Sequence, residues 1–128
     1  MEARVQQMVF PTDTNPMGQL FGGAMVAWMD KAAAFAAMRR ARGPAVTAAI
    51  EGIEFAEPVH QGELVELVAE VVSVGSTSMR LKCEAFVVDV EHGERRLCTS
   101  AEFTFVAVDA EGRPVPVPAE PEDVSFPS

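Results

Sequence analysis

The twenty residues from Pro11 to Asp30, PTDTNPMGQLFGGAMVAWMD, hold the groups of this chain best suited to chemistry. Asn15 stands in loop-forming sequence, Gly22 and Gly23 stand where an apolar helix begins, and Asp30 stands inside that helix. From Leu20 to Met38 the only charged residues are Asp30 and Lys31. A carboxylate on a helix with no polar face must be paired, neutralised or used. If used, it takes a proton from water or attacks a carbonyl carbon directly. Peptide N–H groups at Gly22 and Gly23, in a first helical turn, lack intrahelical partners and welcome a developing oxyanion. Glycine also lets a substrate approach the backbone closely. The Asn15 amide offers a donor and an acceptor to orient a water or a carbonyl. Such a set fits hydrolysis of an activated acyl group. Structural explanations compete: a buried salt bridge for Asp30, close helix packing for the glycines, a loop or cap role for Asn15. Asn15 is the sole asparagine of the chain, which gives its position weight.

These residues need elements to hold them. Val5–Phe10 reads as a short strand, and Pro11 through Gly18 is turn chemistry. A helix is predicted from about Leu20 to Ala41, rich in Ala and Met, with Arg39, Arg40 and Arg42 at the negative end of its dipole. Gly43-Pro44 stops it. Strands follow at Ala45–Ala56, Leu64–Val74, Ser78–Val90 and Arg95–Val108. In the third of these, Met79, Leu81, Cys83, Ala85 and Val87 share one face, and Ser78, Arg80, Lys82, Glu84 and Phe86 the other. Short turns imply antiparallel neighbours. One long helix on an antiparallel sheet makes a two-layer α+β domain. The helix is apolar all round, so the sheet must wrap it or a partner must cover its remaining face. Five of the nine prolines fall after residue 113, so 114–128 reads as a Pro-rich, extended and largely unstructured tail.

Composition narrows the partners. A net charge of −9 argues against nucleic acid and against an anionic membrane surface. A charged pair in the middle of residues 20–38 argues against a membrane span there. The start, MEARVQQ, has no basic region followed by an apolar stretch. Cys83 and Cys98 fit a reducing cytosol, so a cytoplasmic protein is expected. No Cys/His spacing points to zinc, and no metal is expected.

DTNPMGQLFGGAMVAWMD resembles the helix-entry motif of the hot-dog-fold acyl-CoA thioesterases, Asp-Thr-Asn-x-x-Gly-x-x-Phe-Gly-Gly followed by Met-Asp. FAEPVHQGELV, VGSTSMRLKCEAFV and SAEFTFVAVDAEGRP are similar to three later segments of the same family. Many relatives have His where this chain has Phe21, and the Phe variant also occurs. The resemblance implies a hot-dog fold over residues 1–113, a curved antiparallel sheet around a central helix. It implies hydrolysis of acyl-CoA to free acid and CoA in fatty acid metabolism, with no cofactor besides the CoA of the substrate. It implies a homodimer assembled further into a tetramer or hexamer. It puts the strand carrying Ser76, Thr77, Ser78, Arg80 and Lys82 beside the CoA arm and Arg113 near the nucleotide. The competing explanation for Arg80 and Lys82 is a solvated strand face. Arg95 and Arg96 and the Arg39–Arg42 cluster read as solvated or dipole-complementing charges, and neither His60 nor His92, both in turns, as catalytic.

Helix geometry adds a condition. Gly22 and Asp30 are eight residues apart, about 12 Å along a helix axis. They cannot share one carbonyl within one chain. Two antiparallel helices across a two-fold axis bring Asp30 of one subunit to Gly22 and Asn15 of the other. Two other functions remain on the same scaffold. A hydratase or dehydratase commonly needs a His near the carboxylate, and none lies on this helix. A non-catalytic acyl-CoA-binding or sensing protein has no need of Asp30.

Overall fold

The computed structural model describes residues 1–120. In chain order it forms β1 (Glu2–Met8), a short 3-10 turn (Pro11–Asp13), α1 (Gly22–Ala41), β2 (Ala45–Phe55), β3 (Leu64–Val74), β4 (Ser78–Val88) and β5 (Arg95–Ala107). All five strands join one antiparallel sheet in the order β1-β3-β4-β5-β2. This is the expected hot-dog architecture, one long helix on a five-stranded antiparallel sheet.

The alternation on the strands decides which face meets the helix. Val65, Leu67 and Ala69 of β3, Met79 to Val87 at every second position of β4, and Ala101, Phe103 and Phe105 of β5 are buried. Against them α1 buries Met25, Met29, Ala32, Ala33, Ala36 and Ala37, a stripe at helical spacing. The four alanines let the helix axis come close to the sheet, and the two methionines fill the wider gaps. Phe103 and Phe105 sit with ring centroids 6.2 Å apart beneath them. The sheet covers one side of α1 only. Ala27, Lys31, Phe35, Met38 and Arg39 stay exposed on the other.

Two expectations need correction. Residues Leu20 and Phe21 are not helical: Leu20 bridges to Thr14, its N–H donates to the Val59 carbonyl, and Phe21 is the N-cap. The β2 and β3 strands are joined by eight residues, 56–63, yet are not neighbours. Curvature separates them. The connection crosses the end of the sheet at the start of α1, held by the Gln19–His60 bridge and the Gln61 N–H to Gly18 carbonyl bond. β2 is thereby left on an edge, paired to β5 alone.

Pro114 to Pro118 are extended, without regular structure, and docked rather than loose. The Val115 N–H donates to Ala107, the Val117 N–H to Ser76, and the Arg40 guanidinium to the Pro118 carbonyl at 2.7 Å. Val115 and Val117 pack on the core, which ties this stretch to the C-terminal end of α1. The rest of the expected tail, 121–128, lies outside the described residues.

Candidate active site

Asp30 sits on the half-buried flank of α1 that faces β2. The Thr47 hydroxyl donates a 2.6 Å hydrogen bond to Asp30 Oδ1. This is the partner that a carboxylate on an apolar helix requires, and it is a hydroxyl, not the arginine of a salt bridge. Thr47 was not singled out by the sequence. A threonine in a strand is ordinary, and a contact across seventeen residues leaves no local signal. The bond engages Oδ1 and leaves Oδ2 free to accept a proton or to attack carbon.

At the other end of the site, Gly22 and Gly23 open α1. The first amide of the helix to find a partner inward is that of Met25, which donates to Phe21. The N–H groups of Gly22, Gly23 and Ala24 precede the intrahelical ladder, as a helix start dictates. A Cβ on Gly22 would come within 3.2 Å of the Phe55 ring, so glycine is what lets the end of β2 close over the helix start. A cavity of about 310 Å³ opens beside Gly22, lined also by Gln19, Leu20, Met25, Phe55, Glu57, Pro58, Val59 and Thr99.

Asn15 does two jobs. Its Oδ1 accepts the N–H of Met17 at 2.9 Å and of Gln19 at 3.1 Å, which tightens the loop before the helix. Two donors on one atom identify that atom as the oxygen. The amide nitrogen is left as the donor. The loop is secured to the helix start by the Thr14–Leu20 bridge and by the Phe21 N–H to Asp13 carbonyl bond. Asn15 and Gly22 are thus held at one end of the subunit.

Asp30 is not with them. Eight residues of helix still separate it from Gly22, about 12 Å of axial rise. Both ends are nevertheless fixed to the same strand, Asp30 through Thr47 and Gly22 through Phe55. That strand is β2, whose outer edge pairs with no strand among the described residues.

The residues expected to meet CoA fall in two places. Ser76, Thr77 and Ser78 form the β3–β4 turn, where the Thr77 carbonyl accepts the Ala107 N–H and Ser76 holds the docked tail. Arg113 sits in the exit turn after β5, its N–H bonded to Asp109 Oδ1 at 2.9 Å. Sheet register puts Ser78, Val106 and Val46 in one row, next to the row of Met79, Phe105 and Thr47. The β3–β4 turn therefore lies at the Thr47 end of the sheet. Arg80 and Lys82 point to the outer face, away from α1, over a shallow hollow of about 360 Å³. Arg80 is ion-paired with Glu102 at 2.8 Å and Lys82 with Glu84 at 3.6 Å.

Other titratable groups are accounted for. His60 and His92 are exposed and bonded to Glu63 and Asp89. Arg95 and Arg96 are not simply solvated. Arg95 pairs with Glu66 and stacks on the Phe86 ring, and Arg96 joins Glu57 to Glu63. Cys83 and Cys98 are free and buried. Burial pushes the Cys83 thiol up to about 12, so at neutral pH it is not a thiolate. Among the described residues no helix is long and apolar enough to cross a membrane.

Known proteins resemble this chain in sequence and in fold. The Thioesterase superfamily matches residues 17–94. The chain is 39% identical over 110 residues to the Bacillus subtilis protein named "Uncharacterized acyl-CoA thioester hydrolase YkhA", covering 86% of this chain and 64% of that one. The chain thus spans somewhat under two thirds of that relative's length. An acyl-CoA hydrolase from Staphylococcus aureus, solved with butyryl-CoA and CoA, superposes with a TM-score of 0.88 at 35% identity, over 96% of this chain and 76% of that one. It has also been solved with an asparagine, an aspartate and a threonine each replaced by alanine. Those three residues are spaced along that chain by the intervals that separate Asn15, Asp30 and Thr47 here. A hexameric thioesterase from Yersinia pestis superposes with a TM-score of 0.85 at 35% identity, over 90% of this chain and 93% of that one. With its fold, its helix-entry motif and its carboxylate in place, the chain belongs to the hot-dog acyl-CoA thioester hydrolases of the Thioesterase superfamily.

Proposed function

We propose that this protein hydrolyses acyl-CoA to a free acid and CoA at two equivalent sites, each shared between two subunits. One observation carries the reading: a carboxylate held on one oxygen by Thr47, on a helix flank beside a free sheet edge. Asp30 Oδ2 of one subunit acts as general base on a water or attacks the thioester carbon itself. In the water route, the water oxygen bonds to the thioester carbon and its proton passes to Asp30. The oxyanion is met by the Gly22 and Gly23 N–H groups of the other subunit and by the Asn15 amide nitrogen. Collapse breaks the C–S bond, and the thiolate leaves with the proton from Asp30. In the anhydride route, water hydrolyses the acyl-aspartate in a second step.

The edge position of β2 supports this reading, because β2 of a second copy can pair there. Such pairing would cover the free edge and set two α1 helices side by side and antiparallel. Ser76, Thr77, Ser78 and Arg113 lie at the Asp30 end of the sheet and suit the CoA arm and nucleotide. Arg80 and Lys82 suit them less well, since both are engaged by glutamates. The relatives' hexamers favour three such dimers over two. The substrate and the two unpaired thiols fit cytoplasmic fatty acid metabolism.

The test is CoA-thiol release from acetyl- to palmitoyl-CoA by wild type and Asp30→Ala. Wild type turns over, and Asp30→Ala loses about a hundredfold to ten-thousandfold in kcat while remaining folded. Tight acyl-CoA binding without turnover by wild type would replace the hydrolase with a binding or sensing protein.

A further inference from the structure

Among the described residues Thr99 is the one polar side chain buried in the core, at 2% exposure. A bulge puts it there. β4 and β5 pair Ala85 with Thr99 and then Phe86 with Leu97, so Cys98 is the extra residue and both Cys98 and Thr99 turn inward. A hydroxyl without a partner costs about 1–3 kcal/mol in such a place. Valine, its isostere, would fill the same volume at no such cost. Yet among the described residues no wholly buried side-chain oxygen or nitrogen is left unpaired, and Thr99 hydrogen-bonds through its side chain to none of them. Its hydroxyl is therefore reached from the space it lines.

That space is the cavity beside Gly22. On the reading above, a thioester whose carbonyl oxygen meets the Gly22 N–H sends its acyl chain into this cavity, past Leu20, Met25 and Val59. Gln19, Glu57 and Thr99 are the polar side chains of that lining, and Thr99 is the one of the three that is buried. At the rim stands Glu57, ion-paired to Arg96. The pair is neutral as a whole, so a second carboxylate on the acyl group finds no free cation there while Glu57 holds Arg96.

We infer that Thr99 is a specificity-determining residue, whose hydroxyl hydrogen-bonds an oxygen substituent on the acyl chain. The pocket selects uncharged hydroxyacyl or oxoacyl groups over plain ones, and Glu57 turns away dicarboxylic ones. This inference rests on the proposed hydrolase.

The full-length protein is assayed by CoA-thiol release on butyryl-, 3-hydroxybutyryl-, 4-hydroxybutyryl-, 3-oxobutyryl- and succinyl-CoA. Wild type, Thr99→Val, Thr99→Ser and Glu57→Gln are compared. Wild type is expected to favour at least one of the hydroxy- or oxo-acyl substrates over butyryl-CoA by roughly tenfold in kcat/KM. Thr99→Val abolishes that preference, read as the ratio of kcat/KM on oxygenated to plain acyl-CoA, Thr99→Ser restores it, and Glu57→Gln raises succinyl-CoA turnover. Equal use of plain and oxygenated acyl groups by wild type overturns the inference even if Thr99→Val fails to fold. So does a preference that Thr99→Val leaves unchanged. In both cases butyryl-CoA turnover leaves the hydrolase standing. Absence of turnover on every substrate overturns both.

Discussion

At the scale of single residues the site turns on two side chains that each satisfy structure and chemistry with different atoms. Asn15 uses its oxygen to hold the loop, which leaves its nitrogen as the donor for the proposed chemistry. Asp30 uses Oδ1 to hold Thr47 and keeps Oδ2. The structural and catalytic explanations of these residues are therefore not rivals. A hydroxyl bond to a carboxylate is worth about 1.5–3 kcal/mol. Here it fixes the direction in which the free oxygen points. Thr47→Val is thus expected to lower kcat by roughly tenfold to a hundredfold, with KM nearly unchanged, as for a residue that acts through Asp30. Thr47→Ser keeps the hydroxyl and recovers most of the rate. Steady-state kinetics on one acyl-CoA decide this, and a pure KM effect would assign Thr47 to binding instead.

At the scale of elements, the close approach of β2 to the start of α1 is what Gly22 permits. Gly22→Ala sets two effects against each other. Alanine is favoured over glycine in a helix by up to about 1 kcal/mol. Its Cβ meets the Phe55 ring at 3.2 Å, and that ring is half exposed and free to swing outward. The two effects nearly cancel in stability. They do not cancel in function, since the methyl group and the displaced ring crowd the N–H groups and the cavity mouth. Gly22→Ala is expected to melt within a few degrees of wild type and to lose roughly tenfold or more in kcat/KM. Thermal melts paired with thiol-release rates test it, and unchanged rates would remove Gly22 from the oxyanion site. The same elements show what a sequence reveals. Alternation in Met79–Val87 and the alanine-rich helix were legible because burial on one face imposes a period on the residues themselves. Strand order was not, because the β2–β3 connection carries no mark of crossing the sheet end rather than turning back. Thr47 and Thr99 were hidden for a related reason. Their significance lies in what α1 and the β4–β5 bulge bring to them, and neither meeting is local in sequence.

At the scale of the whole molecule, the two halves of the site lie at the start and near the middle of one helix, along an edge strand that no further described strand pairs. No rotation of side chains closes about 12 Å of helix. In the proposed dimer a second copy related by a two-fold axis would do so twice, giving each active site one Asp30 and the other subunit's Gly22 and Asn15. That arrangement makes a prediction no single-chain site shares. Asp30→Ala and Asn15→Ala are each nearly inactive alone. In a mixed dimer, one site combines both replacements and is dead, and the other combines the intact Asp30 and the intact Asn15. Denatured and refolded together at equal amounts, half of the dimers are mixed and each has one working site. The mixture should recover about a quarter of wild-type activity. Differently tagged chains allow the mixed dimer to be isolated, and its activity should be about half that of wild type. Recovery must follow subunit exchange in time and vanish when the two variants are combined without refolding. If both residues served a site within one chain, every subunit of the mixture would carry one defect, and isolated mixed dimers would be as inactive as their parents.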